Sequence, residues 1–160
     1  MINVSAGGKS VVKANPSEKV GVFCKRNGKP GVVEYTEISK EMAERTDTNG
    51  ELVFGESHIN CNMFSVKAIE DVANKNLPYH VAHKKASYLD ENGNLVVPDK
   101  PNAYKFESFI FDAFEFFDDI AIMRGKREDD FAPVKNKEGA DSPKTAKELY
   151  EKYWEKHGKK

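Results

Sequence analysis

The chain is short of several things at once. Only two of its 160 residues are cysteine, too few for a disulfide-stapled scaffold. Cys24 and Cys61 stand among apolar neighbours and read as two buried free thiols, which makes a reducing compartment, the cytoplasm, the expected location. No apolar run approaches the roughly 18–20 residues that cross a bilayer, and the opening MINVSAGGKSVVK lacks the apolar centre of a signal peptide. Charge of one sign is missing too. Lys and Arg number 25 and Asp and Glu 26, a net charge of -1, which leaves no footprint for nucleic acid or an anionic membrane. The four histidines, His58, His80, His83 and His157, fall on different elements. His80 and His83 share a predicted strand but point to opposite faces of it, so no zinc site is expected. There is no Walker loop and no nucleophile elbow, and the AGGK at 6–9 precedes a strand instead of opening a helix after one.

What is present is a globular composition, 39% hydrophobic and 32% charged, in a chain long enough for one domain with its own core. The pattern alternates strands with helices, so the expected class is α/β with a mixed sheet. KSVVK at 9–13 and VGVFCKR at 20–26 read as strands. NGKPG at 27–31 closes a hairpin onto VVEY at 32–35. Thr36 is an expected N-cap, with Ser39 as the alternative, for a helix through EISKEMAERT. After the apolar INCNMFSV at 59–66, a helix over 66–76 has Val66, Ile69 and Val72 on one face. LPYHVAHKK at 77–85 reads as a strand, and YLDENGNLVVPDKP as a hairpin with an Asn-Gly turn. IAIM is a short strand, RGKREDD a solvated turn, and PKTAKELYEKYWEKHGKK at 143–160 a helix with Pro143 in its first turn and a frayed HGKK end.

The segment PDKPNAYKFESFIFDAFEFF, at 98–117, is the most informative. Two prolines hold the backbone extended, and a helix is expected from Ala103. At about 100° per residue, Phe106, Phe109, Ile110, Ala113, Phe114, Phe116 and Phe117 fall in one arc and read as core. Phe111 lies outside that arc. Lys105 stands in the first turn, where a cation opposes the helix dipole unless an anion is bound there. The residues alone leave two readings open: an anion site near Lys105 and Lys135, or an exposed lysine beside an incidental surface phenylalanine.

Several strings taken together resemble one family, the eukaryotic UDP-N-acetylhexosamine pyrophosphorylases within the UDP-sugar pyrophosphorylases. They are KSVVKANPSEKVGVFC, GVVEYTEIS, YHVAHKK, PDKPNAYKFESFIFD, REDDFAPVKN and ADSPKTA, in the family's order and at near-family spacing over roughly residues 8–147. The resemblance implies a nucleotidyltransferase with a Rossmann-like domain, of which residues 1–142 would be the sugar-binding part and residues 143–160 a C-terminal helix. It would join UTP to N-acetylglucosamine 1-phosphate, giving UDP-N-acetylglucosamine and pyrophosphate, with Mg²⁺. The resemblance also assigns roles. Glu34 would hold sugar hydroxyls, Tyr35 follows it in the motif, and Gly21 would let backbone approach the sugar. Lys105 and Lys135 would contact phosphate, and Phe109 and Phe111 would flank the N-acetyl group.

Departures from the family pattern carry expectations of their own. The Gly-rich nucleotide loop, the uridine-reading segment and the Mg²⁺ aspartate have no counterpart here, so the isolated chain is expected to be inactive and to need the missing part of its own domain as a partner. A sheet cut in this way would also leave unpaired edges. Ser57-His58 stands where the family has Gly-Asn, an asparagine that contacts the sugar. His58 thus leaves sugar preference open, with Asn60 or Asn62 as substitutes if the register shifts. A UDP-glucose or UDP-galactose pyrophosphorylase and a non-catalytic sugar-nucleotide-binding module are the alternatives.

Overall fold

The computed structural model describes residues 4–158. Its centre is a five-stranded mixed sheet built from β1 (Ala6–Val12), β2 (Val22–Arg26), β3 (Lys29–Val33), β4 (Glu56–Phe64) and β9 (Ala121–Arg124), in the order β3-β2-β4-β1-β9. β1 runs antiparallel to β4 and parallel to β9. α1 (Lys40–Glu44) separates β3 from β4, and α2 (Val66–Val72) follows β4. Two small ribbons stand apart from the sheet: β5 (His80–Lys84) with β8 (Ala103–Glu107), and β6 (Tyr88–Leu89) with β7 (Leu95–Val96). A 3-10 helix (Ile110–Phe116) leads into β9, then come α3 (Arg127–Asp130) and α4 (Pro143–His157).

Local chemistry explains most of these boundaries. Asn27 and Gly28 both have positive φ, 52° and 81°, the two-residue hairpin geometry that an Asn-Gly pair adopts most easily. β3 therefore starts at Lys29 and takes in Pro30, which is tolerated because β3 is an edge strand. The α1 cap is Ser39, not Thr36: its hydroxyl accepts from Met42 N at 3.2 Å. Ser65 and Ser142 cap α2 and α4 in the same way. At Ser142 a reciprocal bond, from Ser142 N to the Thr145 hydroxyl, and a proline at the next position complete the start of α4. RGKREDD contains the short helix α3 instead of a solvated turn alone. At the end of α4, Gly158 is a positive-φ cap; the rest of the expected frayed end lies outside the described residues.

The aromatic segment departs from expectation. Residues 103–107 form a strand, not the first turns of a helix, and pair with β5 so that Lys105 faces Ala82 in the register. Alternating AYKFE suits a ribbon with aromatics on one side, and Phe106 is 60% exposed there. The helix that follows is 3-10. With three residues per turn, positions i and i+3 eclipse, so Phe111 and Phe114 lie one above the other and both are buried, at 6% and 0% exposure. Phe111 thus belongs to the core and Phe106 and Phe116 do not, the reverse of what a 3.6-residue period implies. The core gathers Ala6, Phe23, Val32, Phe111 and Phe114, with Phe64, Phe109, Phe117 and Ile120 packed against it. Phe64 stacks on Phe114 at 5.3 Å. On α2, similarly, Ala68 is the buried residue while Val66 and Ile69 are exposed. Neither cysteine is fully buried: Cys24 is half-buried, Cys61 is exposed, and both are free.

Candidate functional site

The hairpin β2–β3, the strand β4 and the 3-10 helix enclose an open hollow of about 340 Å³. Six residues singled out from the sequence line it: Gly21, Glu34, Tyr35, His58, Phe109 and Phe111. Each arrives from a different local cause. Gly21 stands just before β2, and its carbonyl accepts from His58 N at 2.8 Å, which ties β4 to this edge. Glu34 and Tyr35 follow β3, where the chain turns with Glu37 N donating to the Glu34 carbonyl at 2.9 Å. Phe109 caps the 3-10 helix that Phe111 enters, and their rings stack at 4.8 Å.

Glu34 is half-buried. Burial, and then the neighbouring Glu37 carboxylate, push its carboxyl above the usual range, while His80 and Lys135 pull the other way. His58 is buried between two aromatic edges, Phe23 at 5.1 Å and Phe111 at 4.7 Å. Burial holds its ring below the ordinary imidazole value, against a smaller opposing effect of its bond to Asn62. The imidazole is therefore neutral at pH 7. The bond from Nε2 to Asn62 Oδ1 is 2.9 Å.

The two lysines are treated differently by the fold. Lys135 Nζ donates to the Lys19 carbonyl at 2.8 Å, and Lys19 lines the hollow. Its ammonium thus sits at the rim and acts on Glu34. Lys105 projects from β8 and is paired with Glu107 at 2.6 Å; it is not among the residues of the hollow. Its expected place in a helix's first turn is overturned with the helix itself.

Sequence reasoning left Asn60 and Asn62 open as alternatives to His58. Asn60 lines the hollow because β4 is bulged: the register passes from Lys9↔Cys61 to Ser10↔His58, so Ile59 and Asn60 are left without partners on β1, with Asn60 at a positive φ of 57°. Asn62 bridges it to His58, donating to Asn60 Oδ1 at 3.2 Å. The shift that decides between these asparagines is a two-strand property, invisible in β4 alone. Behind Phe109 lies His80, 4.7 Å from its ring and bonded to Glu37 and Asp112. Its only sequence signal was its presence in YHVAHKK.

A larger hollow, about 580 Å³, runs along β1, β4 and β9. It is apolar and is bordered by exposed Met63 and Met123. Among the described residues no group of three or more His, Cys, Asp or Glu is arranged to hold a metal, and no helix is long and apolar enough to cross a membrane.

Comparison with known proteins places the chain in a family. The family model described as UTP--glucose-1-phosphate uridylyltransferase matches residues 7–142. A human UDP-N-acetylhexosamine pyrophosphorylase-like protein 1 is 46% identical over 148 residues, 89% of this chain and 29% of that protein. A Saccharomyces cerevisiae UDP-N-acetylglucosamine pyrophosphorylase is 36% identical over 150 residues, 89% of this chain and 31% of that one. Among solved structures, a putative UDP-N-acetylglucosamine pyrophosphorylase from Entamoeba histolytica superposes with a TM-score of 0.79 at 34% identity, covering 92% of this chain and 37% of that one. The Trypanosoma brucei uridine diphosphate N-acetylglucosamine pyrophosphorylase, in complex with inhibitor, gives 0.73 at 35% identity, over 91% of this chain and 29% of that one. The chain spans about three tenths of the length of the curated relatives it matches. It shares with the solved structures a mixed α/β fold around a mixed sheet. With a family model over most of its length and relatives at this identity, the chain belongs to the UDP-sugar pyrophosphorylase family and is most similar in kind to its UDP-N-acetylhexosamine pyrophosphorylases.

Proposed function

We propose that this chain is the sugar-binding part of a Rossmann-like uridylyltransferase domain that makes UDP-N-acetylglucosamine and pyrophosphate from UTP and N-acetylglucosamine 1-phosphate. The observation that carries the reading is the convergence of Gly21, Glu34, Tyr35, His58, Phe109 and Phe111 on one hollow with the Lys135 ammonium at its rim. An ionised Glu34 carboxylate accepts hydrogen bonds from two hydroxyls in fixed geometry, which suits a hexose edge. The stacked Phe109 and Phe111 rings offer an apolar ledge to an acetamido methyl. Lys135 exchanges the Lys19 carbonyl for a phosphate oxygen, a charge-assisted contact of about 1.5–3 kcal/mol.

In the reaction a phosphate oxygen of the sugar phosphate forms a bond to the α-phosphorus of UTP. The bond from that phosphorus to the bridging oxygen breaks, and pyrophosphate leaves with the electron pair. No covalent enzyme intermediate is needed; the protein positions the sugar phosphate and places a cation beside developing charge. Lys105 enters this reading only if it leaves Glu107, so its phosphate role depends on a rearrangement of that pair. Among the described residues no group of three or more His, Cys, Asp or Glu is gathered to hold a metal. The metal belongs to the reading as a group held by parts of the domain outside this chain.

The test is calorimetric titration of the chain with UDP-N-acetylglucosamine, beside an assay of pyrophosphate release from UTP and N-acetylglucosamine 1-phosphate. Binding without turnover is the expected result. Turnover at rates typical of whole enzymes overturns the assignment of the missing parts, and absence of binding overturns the sugar-site reading. His58 favours a second reading on the sugar: a neutral ring packed between Phe23 and Phe111 replaces a flexible amide. UDP-glucose is therefore titrated in parallel, and His58→Asn is expected to shift preference towards the N-acetyl sugar.

A further inference from the structure

His80 leaves β5 to stand between two carboxylates from distant parts of the chain. Its Nδ1 lies 2.9 Å from Glu37 Oε1 and its Nε2 3.0 Å from Asp112 Oδ2. A neutral imidazole carries one N–H and one lone pair. It can donate to only one of these ionised partners, and the lone pair then faces the other at hydrogen-bond distance, which is repulsive. Both contacts are satisfied together only by the imidazolium. Burial lowers the affinity of the ring for a proton, but the bonds to Glu37 and Asp112 outweigh it and the net effect is to raise it.

The groups facing His80 agree. Glu37 and Glu34 come from the turn after β3, and Asp112 comes from the 3-10 helix. Glu107 lies opposite in the β8 register, where Lys105 pairs with it. The carboxylates are also tied to the hollow. Glu37 Oε2 accepts from Glu34 N at 3.4 Å, Asp112 is buried next to Phe111, and the His80 ring lies 4.7 Å from Phe109. One side chain thus fastens the Glu34 turn to the helix that carries the aromatic ledge.

We propose that His80 is a positioning residue for the sugar site: as an imidazolium bridging Glu37 and Asp112 it holds the Glu34 turn and the Phe109–Phe111 ledge in register, and loss of its proton loosens the site. The inference rests on the sugar-site reading above for its ligand, but not for its geometry. Deprotonation breaks one of the two bonds and leaves a carboxylate without its donor, Asp112 being the buried one.

Two measurements test it on the whole chain. Titration with UDP-N-acetylglucosamine between pH 5.5 and 8.5 is expected to show affinity falling about tenfold as the pH rises above 6.5, on the scale of one charge-assisted bond. His80→Gln, with its donors on one nitrogen and no charge, is expected to bind weakly at every pH with that slope gone. Separately, NMR of the unliganded chain is expected to show the His80 ring titrating above 6.5 with the Phe109 ring resonances following it. Equal pH slopes in the two proteins overturn the proposal. So does a His80 that titrates at or below 6.5, or a Phe109 ring indifferent to it. If UDP-N-acetylglucosamine binds at no pH, the sugar-site reading falls, and the NMR titration alone decides the role of His80.

Discussion

The Glu34 carboxylate lies where a side chain on residue 21 would begin: a Cβ on Gly21 would stand 2.9 Å from Glu34 Oε1 and 3.0 Å from Val32 Cγ1. Gly21 is not at positive φ, so the demand here is for space, not for backbone freedom. Gly21→Ala is expected to push the flexible end of Glu34 out of place. Stability should fall by only about 1 kcal/mol, at the low end for overpacking, while affinity for a sugar nucleotide falls tenfold or more. Urea unfolding and calorimetry on the same protein separate the two effects. A large stability loss with unchanged affinity would place the glycine's role in packing alone.

Lys135 and Lys105 should not respond alike. Lys135 borders the hollow through the Lys19 carbonyl, whereas Lys105 is held by Glu107 on an exposed ribbon. Lys135→Ala is expected to weaken binding of N-acetylglucosamine 1-phosphate by about 10–100-fold, the range of a charge-assisted contact. Lys105→Ala should change it by less than about threefold, since an exposed pair contributes roughly 0–1 kcal/mol. Equal losses would show that Lys105 leaves Glu107 when ligand binds.

The three-residue period after Phe109 makes its own prediction. Phe111→Ala removes a buried ring that touches Phe109 and His58 and is expected to cost about 3–5 kcal/mol. Phe106→Ala, at a 60% exposed position, should stay within about 1 kcal/mol. Thermal or chemical unfolding of the pair decides it, and a reversed order would restore the 3.6-residue helix.

Two histidines shape the pH dependence of stability, with opposite signs. The His80 ring is raised above its unfolded value of 6.5. Its stabilisation is complete below pH 6.5 and is lost as pH rises through the higher folded value. The His58 ring is lowered by burial from the same 6.5. Its unfolded form gains a proton that the fold resists, so stability is lost as pH falls below 6.5. Together they predict a maximum near pH 6.5 from these two groups. His80→Gln should flatten the alkaline arm and His58→Asn the neighbouring acid arm, read from melting temperatures across the pH series.

The family strings, the strand-and-helix alternation and the hairpin at Asn27-Gly28 were legible because each depends on residues close in sequence, while Ser39 was legible only as the alternative to Thr36 for the first helix cap. Glu34 and the phenylalanine pair were legible as a motif for the same reason. The sequence by itself determined which short segments exist and which side chains they carry. Tertiary structure alone decided the rest. Pairing with β5 drew residues 103–107 into a strand, and that moved Lys105 away from the hollow. The shorter helical period turned Phe111 inward, the bulge opposite Lys9 and Ser10 presented Asn60, and His80 found two carboxylates 43 and 32 positions away. Local propensities differ by tenths of a kcal/mol, too little to outweigh a ladder of backbone bonds or a buried ring. Register between distant strands is therefore settled only when the whole sheet forms.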